Sequence, residues 1–198
     1  MPTQSRRERV REERRDLILR TARELAESEG WDAVTTRRLA EEVDYSQPVL
    51  YGHFKNMNAI VDAVAIEGIE ELTRILGAAR RRAPDAVAGL HALARAYLDY
   101  ASHHPAVYEA VFVRPTDLAF ASVDSPLLLK SAFAEIQAGV EPFAGADDPE
   151  TLTEVFWSAL HGQATLNHGS RLRPNHRRPR VDLLIARLSG NNSSPSAD

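Results

Sequence analysis

Two clusters near the N-terminus hold the residue types best suited to recognition chemistry: Thr35-Thr36-Arg37-Arg38, and Gln47-Pro48 followed by Tyr51, His53 and Lys55. Guanidinium, carboxamide, hydroxyl and imidazole groups are the donors and acceptors that meet base edges and phosphates. Catalysis would need a nucleophile or an acid–base pair with an orienting group, and no such motif is present. The chain has no cysteine, which removes thiol nucleophiles, thiolate zinc sites and disulfides. It also lacks a Gly-rich phosphate loop, a His-Glu-x-x-His pair and a nucleophile-elbow serine, so an enzyme would have to assemble carboxylate and His residues only in space. We expect no enzyme, no cofactor and no metal. His103-His104 is the nearest approach to a ligand pair, yet no third donor recurs at ligand spacing, and helix capping is the reading we adopt.

The elements that must position the two clusters are short helices. Leu17, Ile18, Thr21, Ala22 and Leu25 form a stripe of helical period ahead of Gly30, predicting a helix over about 11–29. Thr35 and Thr36 are N-cap types before Leu39, Ala40 and Val43, and Ser46 caps a third helix with Pro48 in its first turn, where a missing N–H costs nothing. Asp44 is expected to take a left-handed conformation in the turn between them. Two short helices joined by a tight turn and packed on a longer one suit the major groove of duplex DNA, because the second can insert its N-terminal residues against base edges. Leu39, Ala40, Val43, Leu50 and Phe54 read as core.

Asn56 caps a longer fourth helix, about 57–80, with inward positions from Val61 to Leu76. Further helical stripes follow at Leu90–Ala101, Val107–Phe112, Leu129–Phe143, Leu152–Ala164 and Val181–Leu188, with loops at 114–126 and at the basic stretch 171–180. No alternating strand pattern appears. The expected fold is all-α: a helix-turn-helix domain over 1–57, a helical ligand-binding and dimerisation domain over 58–190, and a disordered polar tail over 191–198.

The net charge of −4 argues against nucleic acid as a partner when taken alone, but its distribution does not. Residues 1–57 hold 11 basic and 11 acidic side chains, and the remainder 13 and 17, so the acidic excess lies wholly in the C-terminal part. The Arg-rich stretch Arg6 to Arg15, interleaved with Glu and Asp, reads either as a salt-bridged helix extension or as a minor-groove contact. No apolar run approaches the ~20 residues that span a bilayer, and a cytoplasmic location is expected.

Thr35-Thr36-Arg37-Arg38-Leu39-Ala40 and Gln47-Pro48-Val49-Leu50-Tyr51-Gly52-His53-Phe54-Lys55-Asn56 together resemble the DNA-reading head of the tetracycline-repressor family, over about residues 11–65. The resemblance implies that Arg37 reaches a guanine, Gln47 an adenine and Pro48 a thymine methyl. It implies backbone or methyl contacts for Tyr51 and His53 and a phosphate contact for Thr36. Arg38 and Lys55 complete the implied DNA-facing set. Two departures bear on affinity. Val49 stands where close relatives use a hydroxyl on a phosphate, and Met57 where a Lys holds the backbone; Lys55 or the Arg-rich stretch are the available replacements.

The same resemblance implies a homodimer whose C-terminal helices enclose a small-molecule effector. Trp157-Ser158-Ala159-Leu160-His161-Gly162 is similar to a Trp-x-x-x-His-Gly signature of one subgroup. Tyr97, Tyr108, Phe112, Phe133, Trp157 and His161 are the candidate effector contacts, suited to a flat or apolar molecule; packing is the alternative for each. Leu152, Val155, Phe156, Ala159, Leu160, Val181, Leu184 and Leu188 are the candidate dimer face, being too apolar to leave in water. The rival from a different class is a helical protein-interaction module whose head no longer binds DNA, favoured by net acidity and by Val49 and Met57.

Overall fold

In the computed structural model, residues 6–114 and 127–190 are described. Among them every regular element is helical: α1 Arg6–Glu29, α2 Thr36–Glu42, α3 Gln47–Tyr51, α4 Met57–Arg81, α5 Ala86–His103, α6 Pro105–Phe112, α7 Leu127–Val140, α8 Pro149–His168 and α9 Arg177–Ser189, with 3-10 turns at Trp31–Ala33 and Glu141–Phe143. The all-α expectation holds. Most of the loop expected over 114–126 and the tail 191–198 lie outside the described residues.

Three boundaries differ from expectation, each for a local reason. α1 begins at Arg6 rather than near Arg11. Arg and Glu are good helix formers, so the helix extends over a charged stretch that carries no apolar stripe to announce it. α9 begins at Arg177, inside the stretch expected to be a loop, because Pro179 falls in its first turn, where a proline is tolerated. α7 stops at Val140, and Pro142 sits in the 3-10 turn that carries Phe143.

The chain divides into two compact units, Met1–Gly68 with His104–Leu118, and Ile69–His103 with Ala119–Asp198. In the first, Ile18, Leu19 and Ala22 of α1 are buried, as are Leu39, Leu50 and Phe54, and both α2 and α6 pack on α1. The contact of α6 with α1 joins segments far apart in sequence and is held by polar groups. The Glu27 carboxylate accepts from the backbone N–H groups of Ala106 and Val107 at 3.1 and 3.2 Å, satisfying orphan donors at the start of α6. Trp31 Nε1 donates to the Ala106 carbonyl at 2.8 Å in a buried bond, and Arg23 lies 3.3 Å from His104 Nδ1.

In the second unit α5 is central, packed by α7, α8 and α9. Leu90, Leu93 and Tyr97 of α5 meet a core completed by Phe156, Leu160 and Ile185. A Cβ at Gly139 of α7 would come within 2.9 Å of Leu93, so glycine permits the close approach of α7 to α5. Glu135 on α7 pairs with Arg80 at 2.9 Å and Arg81 at 2.8 Å. Burial works to raise its carboxyl pKa, but the two guanidinium groups outweigh that and hold it below the usual range.

Candidate nucleic-acid interface

The turn between α2 and α3 is built by backbone bonds that its residues make possible. Asp44 has φ 55°, and Tyr45 N–H reaches back to the Ala40 carbonyl while Asp44 N–H reaches Glu41, a Schellman closure of α2. The left-handed conformation expected of Asp44 is therefore present. At the other end of α2, Thr35 is the cap, its hydroxyl accepting from Arg38 N–H at 3.2 Å. Pro48 lies in the first turn of α3, and Asn56 Oδ1 accepts from Ala59 N–H at 2.9 Å at the start of α4. Leu39, Ala40, Val43, Leu50 and Phe54 are buried, with α2 packed on α1 and α3 packed on α2.

What remains outward is polar or aromatic. Gln47, Pro48 and Lys55 are exposed, Tyr51 is 53% exposed despite its ring, and His53 is half-buried. Thr36 Oγ1 lies 3.5 Å from the Tyr51 hydroxyl, which brings the start of α2 to the end of α3. The two arginines differ. The Arg37 side chain is 80% exposed and pairs with Glu41 one turn along, a contact that costs little to exchange for another acceptor. Arg38 makes a fork to Glu29 at 2.7 and 2.5 Å, bracing α2 against α1; this bond, more than any other cause, lowers the Glu29 carboxyl pKa. Nothing in the sequence spacing announced the partner, nine residues upstream.

The C-terminal candidates divide. Trp157 Nε1 donates to the Tyr97 hydroxyl at 3.0 Å, and the Trp157 and His161 rings lie 6.3 Å apart, so these three come together on α5 and α8. Burial holds the His161 imidazole pKa below its usual value. Phe133 is half-buried on α7. Tyr108 and Phe112 pair with each other at 4.8 Å on α6, in the first unit.

The proposed dimer face needs correction. Phe156 and Leu160 are fully buried and Val181 is 2% exposed within the single chain, so they serve its own core. An apolar stripe tells that a face is covered but not by which partner. The apolar side chains left outward on these helices are Val155, Leu166 and Leu183, of which only Val155 was expected, with Leu152, Ala159, Leu184 and Leu188 partly covered. His103 Nδ1 contacts the Asp99 carbonyl, and among the described residues no group of three or more His, Asp or Glu side chains is placed to hold a metal. None of the helices described is long and apolar enough to cross a membrane.

Residues 18–64 match the family model of bacterial regulatory proteins, tetR family, and residues 90–188 match that of the tetracyclin repressor-like C-terminal domain. This chain belongs to the TetR family, whose members are DNA-binding regulators of transcription and not enzymes. An uncharacterized HTH-type transcriptional regulator of Mycobacterium tuberculosis is 33% identical over 75% of this chain and 67% of its own length. The class C tetracycline repressor protein of Escherichia coli is 51% identical, but the match spans only 26% of this chain and 23% of that protein. A TetR-family regulator of Pectobacterium atrosepticum has the same fold, with a TM-score of 0.68 at 21% identity over 96% of each chain.

Proposed function

We propose that this protein is a homodimeric repressor that holds a near-palindromic operator with two helix-turn-helix heads and releases it when a small molecule occupies the C-terminal half. The head corresponds to residues 1–57 and the effector-binding and pairing half to residues 58–190. The observation that carries the reading is the division of α3: Leu50 is buried, while Gln47, Pro48 and Tyr51 face outward beside the exposed Arg37. That face offers a forked cation for guanine, a carboxamide for adenine and an apolar ring for a thymine methyl. Thr36, Tyr51, His53 and Lys55 would hold the backbone, and Arg38 would join them only by leaving Glu29.

Pairing through Val155, Leu166 and Leu183 would remove three outward apolar side chains from water and set two heads on successive major grooves. The aromatic group of Tyr97, Trp157 and His161 is the candidate effector contact, with a donor and an acceptor among flat apolar surfaces. An effector acts by binding more tightly to a dimer whose head spacing does not fit the two half-sites. Selection of a random duplex pool with the full-length protein tests the reading. Enrichment of an inverted repeat bound by two subunits is expected; recovery of no common sequence would overturn it.

A further inference from the structure

The first turns of α1 carry a basic face that the apolar packing of the head does not use. Arg7, Val10, Arg11 and Arg14 recur at i, i+3, i+4 and i+7 and so share one side of the helix, while Glu8, Glu12 and Asp16 fall elsewhere around it. With Arg6, this side lines a cleft of about 470 Å³ whose other wall is Gly52 and His53, the two residues that follow α3. Among the described residues, no carboxylate lines the cleft. Its position is fixed by stacking further along the helix, with the Arg14 guanidinium 5.9 Å from the Tyr45 ring centroid and that of Arg15 5.3 Å from Phe54.

Cations gathered without a counter-anion repel one another, and the effect is felt at His53. Burial first, and then Arg11, Arg14 and Arg15, hold its imidazole pKa below the ordinary value. An oxyanion in the cleft would turn these repulsions into charge-assisted bonds, for which guanidinium groups are well shaped.

We propose that this cleft binds a backbone phosphate of duplex DNA flanking the bases read by α3, held between Arg6, Arg7 and Arg11 on α1 and the Gly52–His53 turn. The inference rests on the reading of α3 as the DNA-contacting helix. Duplex DNA is favoured over a small phosphorylated molecule because the cleft is shallow, walled by exposed arginines and continuous in sequence with the end of α3; small-molecule sites are enclosed and mostly apolar. Arg7, Arg11 and Arg14 share a face that the acidic residues of α1 leave clear, so the helix extension also presents cations beside the end of α3. The cleft also supplies the phosphate anchor that Val49 and Met57 do not.

The test is a salt series of operator and scrambled-duplex titrations with the full-length protein, its Arg6→Ala/Arg7→Ala/Arg11→Ala variant and the corresponding triple Lys variant. Arg14 and Arg15 are left in place because they anchor the helix. The alanine variant should lose affinity by the same factor on both duplexes, and its plot of log affinity against log salt should be shallower by about two for a dimer, roughly one phosphate per head. The lysine variant should restore the slope. Wild-type operator binding with an unchanged slope and affinity in the alanine variant would overturn the inference alone. Failure of the wild type to prefer any duplex would instead overturn the DNA reading, and the cleft's assignment with it.

Discussion

The two compact units present different surfaces to solvent. The first closes its core beneath α2 and α3 and leaves Arg37, Gln47 and Tyr51 outward, a surface of donors and acceptors with few apolar neighbours. The second leaves Val155, Leu166 and Leu183 of α8 and α9 in contact with solvent. A surface of the first kind matches a hydrated polyanion, and one of the second kind matches another apolar surface. The same family membership thus divides into two binding problems solved by different chemistry.

The contrast can be broken most severely within the second unit. Phe156→Ala should cost about 3–5 kcal/mol in chemical denaturation, because the ring is fully buried and its removal leaves a cavity. Val155→Glu with Leu183→Glu should leave stability within about 0.5 kcal/mol per site, as for ordinary surface substitutions. It should nevertheless give a monomer by sedimentation. A paired variant that still sediments as a dimer would place the interface elsewhere.

In the head, Arg37→Ala or Gln47→Ala should each cost about 1–3 kcal/mol at the cognate operator and almost nothing on random DNA. Equal loss on both would make them phosphate contacts. Glu27→Gln should destabilise the first unit by about 1–2 kcal/mol in a thermal melt, since it weakens both bonds to the start of α6. An unaltered melt would show that α6 is held by the Trp31–Ala106 bond and its apolar contacts without Glu27.

The smallest effect concerns pH. The Glu135 carboxyl pKa is depressed in the folded chain, so its contribution is present above the unfolded carboxylate value of about 4.3 and is lost as pH falls through the lower folded value. Glu135→Gln should flatten that acid limb of a stability profile, and an unchanged limb would remove the Arg80–Arg81 cluster from the account.

The head was largely legible because its signals are local. Thr35 and Asn56 cap the helices they precede, Pro48 opens α3, and Asp44 takes the left-handed turn, all within a few residues of the structure they specify. The Glu27 clasp was not legible, since its partners lie 79 and 80 residues away and no spacing links them. What covers α8 and α9 was not legible for a different reason: periodicity marks Phe156, Leu160 and Val181 as covered, and only the packing of α8 and α9 on α5 assigns them to the chain's own interior. The start of α1 was left open between a helix extension and a minor-groove contact because a helix of charged residues has no apolar stripe.

Fluorescence-anisotropy titration of the full-length protein against DNA from upstream of its own gene, beside a scrambled duplex of equal length, tests the central claim most directly. The account predicts saturation at two subunits per site, resistance to scrambled competitor and weakening as salt rises. Affinity equal on the two duplexes, repeated with a selected random pool, would contradict it and leave the outward face of α3 to a protein partner.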